Sequence, residues 1–140
     1  MNVDKLQEFA AQYTDAWNSQ NAASVAAFFA ESGSLFINGS PAQGRKAITA
    51  VVQGFMSAFP DMELLMDKLE IQPDQLVYHW TFIGTNTGPD GTGNAVRFSG
   101  YEEWTIGEDG LIAQSLGHFD NDEYQRQLEY GVDANQIRVK

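Results

Sequence analysis

Four side chains of this 140-residue sequence are of types that move protons and are spaced so that they can share one cavity: Tyr13, Glu102, His118 and Asp120. Three of them fall in the stretch Val96 to Gly131, which reads as two strands joined by the turn Gly107-Glu108-Asp109-Gly110, followed by a short helix rich in Gln and Leu after Asp120. If Ile106 pairs with Ile112 across that turn, strict alternation puts Phe98, Glu102, Trp104 and Ile106 on one face with Leu116, His118 and Asp120. An acid, a histidine and a second acid then lie among large apolar groups. A carboxyl desolvated in such surroundings has its pKa raised toward neutrality, where it can both take and return a proton. All of this depends on register, because a slip of one residue on either strand turns its side chains to the opposite face.

Each candidate has a plainer reading. Asp120 stands at a strand-to-helix junction, where an aspartate ordinarily caps the helix. Glu102 interrupts an otherwise apolar strand, so it faces either a cavity or water, since a buried carboxylate without a partner is costly. His118 is placed to bias the protonation of Asp120, or else is satisfied by backbone at a sheet edge. Tyr13 lies on the apolar stripe of a helix, as a pocket residue or as a core tyrosine. Asn38 is a hydrogen-bond donor toward the pocket or an ordinary turn residue. The face of His79 is open.

The elements that must position these groups are legible in the spacing of apolar residues. Leu6, Phe9, Tyr13, Ala16 and Trp17 form one helical stripe, with Asp4 and Gln7 as the expected cap. Val25, Phe28 and Phe29 indicate a short second helix capped by Asn21. A brief strand from Leu35 to Ile37 precedes the turn Asn38-Gly39-Ser40-Pro41. A third helix from about Arg45 carries Ile48, Val51, Val52, Phe55 and Phe59, and Pro60 stops it. Strands follow at Met62 to Ile71 and Leu76 to Ile83, joined by Gln72-Pro73-Asp74-Gln75. The glycine-rich loop from Gly84 to Ala95 has neither a GxGxxG leading into a helix nor a GK[ST] ending, so it reads as a long hairpin connection. Three helices followed by a meander of strands give an α+β class, with a curved antiparallel sheet forming a cone and the N-terminal helices packed on its concave face. One domain is expected over residues 1–131, with a short polar tail at 132–140.

Composition narrows the function. The formal net charge is −11, which repels phosphate backbones and anionic lipid surfaces, so nucleic acid and membrane are not expected as partners. No cysteine is present, which rules out disulfides and thiolate chemistry. The two histidines stand 39 positions apart with no HxH or HExxH spacing, so no metal is expected, and no GxSxG elbow occurs. No apolar run approaches the roughly 20 residues of a membrane span and no leader-like start is seen, so a cytoplasmic location is expected.

In order and spacing, the segments AWNSQN (16–21), GRKAI (44–48), AFPDMEL (58–64), YHWTFIGTNTG (78–88), FSGYEEW (98–104), EDGLI (108–112) and HFD followed by QRQLEYG (118–131) resemble the SnoaL-like polyketide cyclases of the NTF2-like superfamily, relatives of the ketosteroid isomerases. The resemblance implies that Asp120 matches the cyclases' acid/base aspartate. Glu102 stands at their pocket histidine, which is also the oxyanion-hole acid of the isomerases, and Tyr13 matches the isomerases' pocket tyrosine. The isomerases' general-base position is Ile37. The implied activity is cofactor-independent cyclisation, by intramolecular aldol reaction, or isomerisation of a polyketide-like or other small apolar carbonyl compound. Asp120 would move protons while Glu102, Tyr13 or His118 hydrogen-bonds the enolate, and Trp17, Asn38, Phe55, Phe59, Phe98, Trp104 and Leu116 would line the pocket. The alternative is a non-catalytic binding or assembly domain. In either case a homodimer through sheet faces is expected, because helices cover only one side of the sheet.

Overall fold

The computed structural model describes residues 2–132. Helix α1 (Val3–Asn18) carries its apolar stripe as expected, but its cap is Asn2, whose side chain accepts from the Lys5 amide. Asp4 therefore lies in the first turn, where its charge suits the helix dipole. Helix α2 (Ala22–Ala26) is capped by Asn21 as predicted. It ends before Phe28 and Phe29, which the apolar spacing had placed on it. The Phe28 carbonyl accepts from the Ile112 amide instead, and Phe29 opens strand β1 (Phe29–Ile37). A long-range sheet bond thus takes these aromatics from the helix, and β1 runs well beyond the Leu35 to Ile37 segment.

Asn38 and Gly39 both have positive φ, 49° and 90°, which is the two-residue hairpin geometry that an Asn-Gly pair favours. It leads into β2 (Ser40–Gln43), where Pro41 is tolerated because β2 is an edge strand. Helix α3 (Gly44–Ala58), β3 (Glu63–Ile71), β4 (Leu76–Thr85), β5 (Ala95–Ile106), β6 (Ile112–Phe119) and α4 (Asn121–Tyr130) follow, close to the boundaries read from the sequence. The tail expected over 132–140 lies, from residue 133 onward, outside the described residues.

The sheet has six strands in the order β2-β1-β6-β5-β4-β3. It is antiparallel except that β1 joins β6 in parallel, and it is curved and unclosed. Irregularities in pairing at β3, β6 and β1 help bend it, since each unpaired residue locally increases strand twist. Tyr78, Trp80 and Phe82 of β4 and Phe98, Glu102 and Trp104 of β5 face inward. Onto them pack Tyr13 of α1, Phe55 of α3 with Phe59 just beyond its end, and Tyr124 of α4. No described helix is long and apolar enough to cross a membrane.

Candidate functional site

On the inner face of β5 the carboxyl of Glu102, only 7% exposed, meets three side-chain donors. Its Oε1 accepts from the Tyr13 hydroxyl at 3.0 Å, the Trp104 indole Nε1 at 2.9 Å and the Ser115 hydroxyl at 2.8 Å. Its Oε2 has only a longer approach from the same Tyr13 hydroxyl, at 3.2 Å. Burial raises the Glu102 pKa above its ordinary 4.5, and the donors from Trp104, Ser115 and Tyr13 oppose but do not cancel that rise. Burial, reinforced by the Glu102 charge, also drives the Tyr13 phenol far up, so Tyr13 stays a donor. With three donors on Oε1, Oε2 is the oxygen able to carry a proton whenever the acid is neutral.

Local packing fixes this arrangement. The Tyr13 ring stands edge-on to Trp104 and to Tyr78, while Tyr78 and Trp104 stack at 4.8 Å. The Tyr78 hydroxyl is in turn bonded to Thr14. Rings held on several sides lose little further freedom when their polar tips engage a carboxyl.

Glu102 contributes to the wall of a half-open cavity of about 50 Å³. Trp17, Leu35, Ile37, Phe55, Leu64, Trp80, Phe82, Phe98 and Phe119 line it as well. Apart from Glu102 the surroundings are almost wholly apolar. Gly117 sits directly opposite Glu102 in the sheet, and a Cβ there would come within 3.0 Å of the Phe36 carbonyl and 3.8 Å of the Glu102 Cγ. A side chain at 117 would therefore crowd the strand and fill the space beside the carboxyl.

Of the residues singled out from the sequence, Glu102, Trp17, Phe55 and Phe98 line the cavity, and Tyr13 and Trp104 hold the carboxyl from behind. Phe59 is fully buried in the core, edge-on to Phe82. The others lie elsewhere. Ile106 does pair with Ile112, but the next pair is Thr105 with Gln114, so Ala113 is an unpaired extra residue. Beyond it Leu116 pairs with Glu103 and His118 with Tyr101, which turns Leu116 and His118 to the outer face. There His118 Nε2 lies 2.9 Å from Glu103, in the same row as Tyr101 and His79, which pairs with Glu70.

Asp120 does not enter the cavity beside His118. It is exposed and caps α4, accepting from the Glu123 amide at 3.1 Å. Asn38 is exposed too, and its side chain accepts from the Phe119 amide, tying β1 to β6. Sequence reasoning did not single out Ser115 as a partner of Glu102, nor Leu35, Ile37, Leu64, Trp80, Phe82, Gly117 or Phe119 as pocket residues. Trp80 and Phe82 were within reach, because alternation from Tyr78 puts them on one face once His79 is known to point outward.

A SnoaL-like domain model matches residues 10–115. No curated protein sequence matches the chain. Among solved structures, TsrD from Streptomyces laurentii superposes with a TM-score of 0.80 at 23% identity, covering 91% of this chain and 97% of that one. AclR from Streptomyces galilaeus, to which a hydroxylase function has been ascribed, gives 0.78 at 14% identity over 99% of this chain and 89% of its own. A protein from Jannaschia sp. CCS1 ascribed to the SnoaL-like polyketide cyclases gives 0.74 at 14%, over 87% and 90%. At these identities the likeness concerns the fold.

Proposed function

The chain belongs to the SnoaL-like domain family, and from that membership and the Glu102 geometry we propose that it is a cofactor-independent enzyme acting on a small apolar carbonyl compound by acid/base catalysis. The observation that carries this reading is a buried carboxyl, its pKa raised by desolvation, on a residue that lines an apolar, half-open cavity. A carboxylic acid of raised pKa, desolvated but aimed at a cavity, donates its proton or a strong hydrogen bond to a carbonyl oxygen and so stabilises the enol or enolate. Enolisation is the shared step of isomerisation and intramolecular aldol cyclisation.

In this reading Glu102 is the acid, and Tyr13, Trp104 and Ser115 are positioning residues that hold its Oε1 and leave Oε2 for the substrate. The space of about 50 Å³ takes the carbonyl-bearing end of a ligand, and the open mouth lets the remainder extend outward. The carbon-bound proton leaves to water at that mouth, with the exposed carboxylate of Asp120, at the N-terminus of α4, as the alternative acceptor to be tested. The ascription of the Jannaschia protein to the polyketide cyclases agrees with this substrate class.

Deuterium uptake into phenylacetone in heavy water, followed by proton NMR, tests the reading. The protein should exceed the buffer rate, and Glu102→Gln should lower the catalysed rate by roughly 10²- to 10⁴-fold. Exchange no faster than buffer removes the enzymatic reading, and full activity in the Gln variant removes Glu102 from it. A second reading, a non-catalytic binding or assembly domain, draws on the fact that the Glu102 network also ties α1 to β5 and β6 whether or not chemistry occurs. Under both readings we place a homodimer on the outer sheet face, where Tyr101 is an exposed large side chain.

A further inference from the structure

Trp17 follows Tyr13 by one helical turn on α1, so its indole shares the buried stripe and forms part of the cavity wall. The ring is packed edge-on against Phe55 at 6.3 Å. Its Nε1 is the only buried side-chain polar atom among the described residues without a hydrogen-bond partner. The Tyr13 hydroxyl is its polar neighbour, close enough for the indole to lower that phenol's pKa against the rise from burial, but the pair falls short of a hydrogen bond. By contrast, the indole N–H of Trp104 is bonded to Glu102. Native interiors rarely leave a donor orphaned, and a phenylalanine would supply similar wall without the desolvated N–H. An unpaired donor on a residue that lines the half-open cavity is accounted for by an acceptor that arrives with a ligand.

The surroundings restrict what that acceptor is. An anionic oxygen would have to lose its water in an almost wholly apolar lining, in a protein of net charge −11, so carboxylates and phosphates are disfavoured. A hydroxyl would bring a proton of its own into a lining that is otherwise apolar, at the cost of leaving it unpaired. A carbonyl oxygen has two lone pairs and no proton. We infer that Trp17 is the specificity-determining donor of this cavity, selecting ligands that present a neutral ketone or ester carbonyl over hydrocarbons of the same shape. This rests on the reading of the cavity as a ligand site and specifies what enters it.

The test uses acetophenone and α-methylstyrene, two probes of nearly the same shape that differ in C=O against C=CH₂, titrated into the full-length ¹⁵N-labelled protein. The chain has three tryptophans, and the indole N–H signal of Trp17 is identified by its loss in Trp17→Phe, or by elimination with Trp80→Phe and Trp104→Phe. Acetophenone should bind about tenfold more tightly than α-methylstyrene and shift the Trp17 indole proton downfield, and in Trp17→Phe the preference should fall to within about twofold. Equal affinity for the two probes overturns the inference while leaving the cavity as a ligand site. Acetophenone binding that leaves the Trp17 indole signal unmoved overturns it in the same way. Failure of both probes to bind overturns the ligand-site reading and the inference together. The indole shift is read in the natural protein, so the outcome does not hinge on the variant folding.

Discussion

Glu102 is buried with three donors on one oxygen, and its raised pKa makes the stability of the protein depend on pH. In the unfolded chain the carboxyl ionises near its ordinary 4.5, while in the folded chain it holds its proton to higher pH. The folded state therefore binds more protons in that interval, and the contribution of Glu102 is fully present below about 4.5 and is lost as pH rises through the raised folded value. Urea unfolding of the natural protein and Glu102→Gln across pH 4 to 9 should show the variant gaining relative stability as pH rises. A difference between the two that does not change with pH would sink this account. Ser115→Ala removes a donor that favours the charged form, so it should move the midpoint of that pH effect upward, as read from the same curves.

Among the elements, α4 depends on the residue that opens it. Asp120 accepts from the Glu123 amide, and loss of a capping oxygen typically costs about 0.5–2 kcal/mol. Asp120→Ala should lower stability by that amount in chemical denaturation, whereas Asp120→Asn keeps an acceptor and should be nearly silent. If Asp120→Asn also slows deuterium uptake into phenylacetone without loss of stability, the carbon-bound proton passes through this carboxylate. An unchanged rate assigns that proton to water. Strand β6 governs the site in a different way. Its extra residue Ala113 reverses the parity of everything after it, sending Ser115 inward to Glu102 and His118 outward to Glu103.

Among the described residues, the helices pack on one face of the sheet and none packs on the other. On that other face His79, Tyr101 and His118 lie side by side on β4, β5 and β6, flanked by Glu70 and Glu103. The homodimer proposed for this face predicts twice the chain mass by sedimentation at micromolar concentration. Tyr101→Asp should shift the mass toward monomer, because it sets a like charge in each copy at the centre of the contact. A monomeric mass for the natural protein would remove the dimer.

Most of the elements, and several of the groups at the site, were legible in the amino-acid order. Apolar spacing located α1, α3 and the strands β3 to β6, because burial of one face leaves a period of 3.6 or 2 that needs no partner to be read. The same logic marked Glu102, since an acid inside an apolar strand faces either a cavity or water, and here it is buried, lines the cavity and is held by three donors. Packing in three dimensions settled the rest. Phe28 and Phe29 left the helix their spacing suggested because β6 offers Phe28 a backbone partner. The parallel pairing of β1 with β6 joins segments about 80 residues apart in sequence, which no local pattern encodes. His118 and Leu116 face outward because one unpaired residue resets alternation, and whether a strand carries that residue depends on the neighbours it must pair with in space.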